Sequence, residues 1–473
     1  MTQAAPAPIA ETISQFALAR LSEGLPSEVE DAARRQLIDS VGVAIAGYRE
    51  PTVESMRRLV ANWGTSGRAS PVGQADRMST PAAALVGGTM AHALDFDDTH
   101  GPSVLHPSAS VASAAFAAAQ ESDSSLDEVV RALAIGNEVV VRLGMAGVDA
   151  SERDSIFFSR GFHATSICGC IGSATAAALI SGCSEGQLRD AMSIASSFSS
   201  GLLEANRTGG TVKRVHCGWA AFSGLMARDM AMEGITGSPT FVEGRFGFLN
   251  AFCGDKADPD WVTRDLGSHW EMLRIGFKPY PINGFLTSTA EAALLMRARG
   301  FQPDHVERVE IRLPPPVLRT VAEPRDIKVR PTSVYSARFS APFVFSLAFL
   351  GGGGGLGLAV EDFTEAALDD PTLLAMADRV HVVGDEKAGE SFPGDVPAVV
   401  TVTLTDGTVV HEEVPHRMGG VQRPLEDAQV DRKFLGNTAP YLGEGRSIDA
   451  LQLLRTAIDV PVSAVLDALL VRD

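Results

Sequence analysis

The chain has 473 residues, 45% of them hydrophobic and 21% charged, a globular composition too long for one compact core, so two domains are expected. Its net charge of −18 excludes a broad basic face, and with it nucleic acid as a partner, but leaves room for a local cationic pocket that holds an anion. The five cysteines, Cys168, Cys170, Cys183, Cys217 and Cys253, are odd in number and lack paired zinc spacing, which excludes a disulfide framework and leaves buried free thiols.

The opening MTQAAPAPIAETISQ has neither the basic start nor the apolar run of a secretory leader. The chain is read as soluble and cytoplasmic, with no membrane partner. Helical spacing of apolar residues covers 9–21 and then SEVEDAARRQLIDSVGVAIAG, where Ser27 and Glu30 have the spacing of a capping box. Further helices are predicted over 80–93, 108–122, 126–143, 164–181, 185–197 and 218–233. The segment 165–182 is nearly long enough to span a bilayer, but its Ala, Gly, Ser and Cys residues partition weakly into lipid. It reads as the central helix of a soluble bundle.

The character changes near Trp270. EMLRIGFKPYP, VERVEIRLPPP and DRVHVVGDE read as strands, and AVVTVTLTDGTVVHEEV as a hairpin turning at Asp406-Gly407. A helix over 334–350 lies among them, and GGGGG at 351–355 is a link without the lysine of a phosphate loop. The expected fold is therefore mainly α. A large all-helical domain, 1–271, is completed by 411–473, and a smaller α+β lid domain occupies 272–410.

Four stretches carry residues suited to chemistry. In ALDFDDTHGPSVLHPSA, 93–109, Asp95 and Thr99 are four apart and would share a helical face. His106 precedes Pro107 and so lies in an extended link. This stretch is either a helix end capped by aspartates or a metal site drawn from His92, Asp97, Asp98, His100 and His106, whose spacing matches no zinc pattern. His163 stands at the start of the small-residue helix, where a neutral imidazole serves as acid, base or cap. Lys213 and Arg214 precede the next glycine-and-alanine helix, a pair suited to a carboxylate or to solvent. Lys278, in FKPYPING, stands at the domain boundary as a cleft residue or a surface one.

These stretches in this order, together with YSARFSAPFVFSLAFLGG, resemble the MmgE/PrpD family over roughly residues 10–460. That family includes 2-methylcitrate dehydratase, cis-aconitate decarboxylase and iminodisuccinate epimerase. The resemblance implies the helical domain, the α+β lid, usually a homodimer, and an active site with no cofactor and no metal. Pocket residues of decarboxylase-like members match Asp95, Thr99, His106, His163, Lys213 and Lys278, and a lid tyrosine matches Tyr335. Those members carry a histidine where this chain has Asn283, which can orient a substrate oxygen but cannot titrate.

The implied substrates are small di- or tricarboxylates, and the shared step is proton removal beside a carboxylate. That step needs a base poised near neutral pH and cations on the developing oxyanion. His163 is the expected base or acid, with His106 its partner across the substrate. Lys213 and Lys278 would clamp carboxylates, with Arg214 the weaker choice. Asp95 would set the charge or tautomer of a neighbouring lysine or histidine, and Thr99 would hydrogen-bond substrate. The expected reaction is that of a 2-methylcitrate dehydratase-like hydro-lyase. Epimerisation or decarboxylation is the alternative, and an inactive dimeric scaffold the non-enzyme alternative.

Overall fold

The structure is a computed structural model that describes residues 7–64, 67–152, 154–208 and 210–472. Residues 1–6, which begin the stretch judged not to be a leader, lie outside them. The fold is mainly helical with a smaller α+β part. Two compact units divide it: Met1–Ala93, Asp97–Ile275 and Thr438–Asp473 form one, and Leu94–Phe96 with Gly276–Asn437 the other. The smaller unit thus runs past residue 410 and takes in a three-residue excursion from the histidine-rich stretch. Among the described residues no helix is long and apolar enough to cross a membrane.

The larger unit is a bundle of small-residue helices. Thr80–His92, Ser108–Ser122, Leu126–Ala146, Ala164–Ile180, Glu185–Phe198 and His216–Met232 all form close to their predicted places. Alanine and glycine let the backbones approach, which replaces large buried side chains by many short-range contacts. One close approach joins Thr80–His92 to His216–Met232. A Cβ on Gly218 would fall 2.2 Å from the Leu85 carbonyl oxygen, and one on Gly88 would fall 2.8 Å from the Cys217 backbone. Both helices therefore end near each other, with His92 on one and His216 on the other. The capping box expected at Ser27 does not form, because Pro26 is the N-cap and Ser27 is already helical. The motif appears instead at Ser125 with Glu128 and at Ser184 with Gln187.

The smaller unit is built on a four-stranded sheet in the order Val380–Gly384, Val306–Leu313, Ala398–Leu404, Val409–Val414. Only the first pair is parallel. Val309, Ile311, Val400 and Val402 alternate inward and pack with Ala290, Ala293, Phe343 and Phe345 of two helices. The hairpin turns at Gly407, with φ 85°, as Asp406-Gly407 predicts. The helix expected over 334–350 is broken into Val334–Ala337 and Ala341–Leu350, with Ser340 capping the second and Pro342 at its start. Of EMLRIGFKPYP, expected as a strand, only Ile275–Gly276 is one. Glu271–Arg274 is a 3-10 turn, and Pro279 and Pro281 offer no amide hydrogens to a ladder.

Candidate active site

The helix Thr80–His92 stops at His92, so Asp95 and Thr99 do not share a helical face as expected. Asp95 adopts φ 52°, a left-handed conformation that a right-handed helix excludes. Within the larger unit the chain then brings four imidazoles into a row. Ring centroids lie 5.4 Å apart for His106 and His92, 5.6 Å for His92 and His163, and 5.1 Å for His163 and His216. His92 Nδ1 is 2.8 Å from Asp97 Oδ2. His106 Nδ1 is 2.7 Å from the Asp98 carbonyl and 3.1 Å from Thr99 Oγ1. A carbonyl only accepts, so His106 carries its proton on Nδ1 and its Nε2 is bare in the neutral form.

The first turn of Ala164–Ile180 orients three of these rings. His163 is its N-cap and donates its backbone N–H to the Gly201 carbonyl at 3.0 Å. Thr165 Oγ1 accepts the His106 backbone N–H at 3.0 Å, and Ser166 Oγ donates to the His216 carbonyl at 3.2 Å. His163 Nδ1 lies 2.9 Å from His216 Nδ1. Burial, then the Lys213 charge and the neighbouring histidines, pushes His163 well below the ordinary imidazole range. Burial, His92 and Lys213 bring His216 down to about 4. Both rings are therefore neutral at pH 7. Burial pushes Asp98 up to about 8, against the Ser108 hydroxyl that opposes it and with Asp39 and Asp97 adding to it.

The smaller unit holds the other expected residues. Lys278 Nζ donates to the Asp95 carbonyl at 2.6 Å and to Asp95 Oδ2 at 3.2 Å. Arg338 Nη1 donates to the Leu94 carbonyl at 3.2 Å, and Lys433 Nζ to the Phe96 carbonyl at 3.0 Å. Three successive carbonyls thus each accept from a buried cation. Asn283 Oδ1 accepts the Phe285 N–H at 3.1 Å, capping a short turn. A Cβ on Gly284 would sit 3.6 Å from Lys278 Cε and 3.9 Å from Arg417 Nη1, so Arg417 neighbours Lys278. The Tyr335 ring packs on Phe339 at 5.0 Å.

Residues 11–260 match the MmgE/PrpD N-terminal domain, and residues 280–455 match the MmgE/PrpD C-terminal domain. The chain belongs to the MmgE/PrpD family. Among its relatives, cis-aconitate decarboxylase of Mus musculus is 27% identical over 93% of this chain and 88% of its own. The Homo sapiens enzyme of the same name is 26% identical over 94% and 91%. The cis-aconitate decarboxylase-like protein oryM of Aspergillus oryzae is 26% identical over 87% and 86%.

In this MmgE/PrpD chain, Thr99, His106, His163 and Lys213 lie in the larger unit, while Asp95, Lys278, Asn283 and Tyr335 lie in the smaller. Asp95 meets Lys278, and Asp97 meets His92. Arg214 pairs with Glu50 at 3.4 Å. His100 bonds Ser103 Oγ at 2.6 Å and faces Glu271 at 3.3 Å, a structural tie. Sequence reasoning missed His216 and Arg417, and weighed His92 and Asp97 only as metal ligands. His216 lies one turn after Lys213 in VKRVHCGW, a spacing that could have pointed to it. His92, Asp97 and Cys217 each bring one ligand atom within 4.8 Å of the others. His92 and Asp97 already share a hydrogen bond at 2.8 Å, and we assign the three to the polar cluster.

Proposed function

We propose that the chain is a lyase that acts on a small di- or tricarboxylate by proton transfer at a carbon beside a carboxylate, without a cofactor. The observation that carries this is the buried His163 ring between His92 and His216, with burial and the Lys213 charge holding it below the ordinary imidazole range. An uncharged imidazole at neutral pH can accept a carbon-bound proton, and a buried ammonium stabilises the enolate-like oxyanion that results. In this reading His163 is the base or acid and His106, with its bare Nε2, its partner. Lys213 and Lys278 clamp carboxylates, with Thr99, Asn283 and Tyr335 as further substrate contacts and Arg214 a weaker one. Asp95 holds Lys278.

The reaction we favour is dehydration of the 2-methylcitrate dehydratase type. Asn283 supports this over decarboxylation, since its side chain caps a turn and cannot carry a proton. Decarboxylation is the second reading, favoured by the names of the relatives; epimerisation is the third. We also propose a homodimer, for which exposed Trp63 and Trp219, packed around Phe222, offer an apolar face.

The test is proton NMR in heavy water with citrate, 2-methylcitrate, cis-aconitate, iminodisuccinate and hydroxy-dicarboxylates. New vinyl signals establish dehydration, and loss of a carbon establishes decarboxylation. Deuterium on carbon without net change establishes epimerisation. His163→Ala should abolish whichever turnover is found while the circular dichroism stays native. A folded and active variant rules out that role, and silence across the panel with no thermal shift supports the scaffold reading.

A further inference from the structure

Resting on the lyase reading above, we propose that His216 is a positioning residue for His163. The two imidazoles, joined Nδ1 to Nδ1 at 2.9 Å, hold opposite tautomers and so present one bare Nε2 beside one Nε2–H. The argument is one of proton counting. An N–H···N bond needs one donor and one acceptor, and a neutral imidazole has a single proton. The ring that donates through Nδ1 leaves its Nε2 bare. The ring that accepts at Nδ1 must carry its proton on Nε2. A base and an acid of the same residue type are thereby fixed side by side, whichever ring donates.

The surroundings hold this arrangement. His163 feels the charges of Lys213, His92 and His106, and His216 those of His92 and Lys213; with burial these hold both rings uncharged, so neither loses its lone pair at neutral pH. Ser166 ties the two backbones, since its N–H donates to the His163 carbonyl at 3.0 Å and its hydroxyl to the His216 carbonyl at 3.2 Å.

The first experiment needs no substrate. The full chain, labelled with nitrogen-15 histidine, is examined at neutral pH by long-range proton–nitrogen correlation. We expect two histidines of opposite tautomer whose Nδ1 nuclei show a scalar coupling across the hydrogen bond, and loss of that coupling in His216→Leu. Identical tautomers, or no such coupling, overturn the proposal whatever the substrate panel shows. The second experiment uses the substrate found in that panel. His216→Leu should lower kcat at least tenfold with KM within about twofold, while His216→Asn, which keeps a hydrogen-bonding atom near Nδ1, retains most of kcat. Loss of thermal stability in both variants with kcat unchanged assigns His216 a merely structural role and overturns the positioning role. Silence across the panel removes the lyase reading and leaves the tautomer result standing.

Discussion

Gly218→Ala tests whether helix packing sets the histidine geometry. The new Cβ would lie 2.2 Å from the Leu85 carbonyl oxygen, 2.4 Å from Thr89 Oγ1 and 3.0 Å from the Thr89 nitrogen. A relaxed carbon–oxygen contact is about 3.3–3.6 Å, so relief requires roughly a 1 Å separation of two helix backbones. Thr89 cannot turn away freely, because its hydroxyl donates to the Leu85 carbonyl at 2.8 Å. Gly218 is two residues from His216, and a 1 Å shift would stretch the 2.9 Å His163–His216 contact past hydrogen-bonding distance. Overpacking of this kind costs about 1–3 kcal/mol, and misplacement by 1 Å costs on the order of 100-fold in rate. The assay is thermal denaturation followed by turnover of the panel substrate. Gly87→Ala is the control, since its Cβ would meet Ser113 Oγ at an ordinary 3.4 Å; it should leave both unchanged. A Gly218→Ala protein with native melting temperature and full activity would refute the packing argument.

Asp98 holds its proton up to about 8, against an ordinary 3.8. Between those values the folded chain binds one proton more than the unfolded, so this group's contribution to stability falls as pH rises. Asp98→Asn, neutral throughout, should therefore lose less melting temperature from pH 5 to pH 8 than the native chain; parallel curves would contradict the buried-acid assignment. Lys213→Met should raise KM at least tenfold, the equivalent of about 1.4 kcal/mol, with native circular dichroism, and an unchanged KM would remove Lys213 from carboxylate binding. Exhaustive chelation should leave turnover intact; loss restored by one added metal would recast His92, Asp97 and Cys217 as ligands. Sedimentation velocity should give a dimer of the 49.8 kDa chain, and a monomer at all concentrations would remove that proposal.

The helical half was legible because its signal is local. A run such as SVASAAFAAAQ has one plausible structure, and its boundaries followed from flanking Ser, Asp and Pro residues. The break at Ser340 was hidden because the apolar pattern continues through it, while the cap depends on a side chain turning back onto the Phe343 N–H. The histidine row was half legible. His106 and His163 stand in motifs, but His216 matters only through a partner 53 residues away, and no periodicity encodes such a pairing. The helical face expected to join Asp95 and Thr99 depended on spacing, and a single left-handed residue cancelled it.

That same residue joins two duties that most proteins keep apart. At φ 52° Asp95 is one of the few non-glycine types that tolerate the bend, and its carboxylate faces Lys278. Glycine would keep the bend alone. Asparagine would keep the bend and a hydrogen bond without the charge. Glutamate would keep the charge but suit the backbone poorly. Evolution therefore cannot move this charge to a neighbouring position without also moving the corner of the chain. Asp95→Asn and Asp95→Gly, studied together, separate what the corner contributes from what the charge contributes.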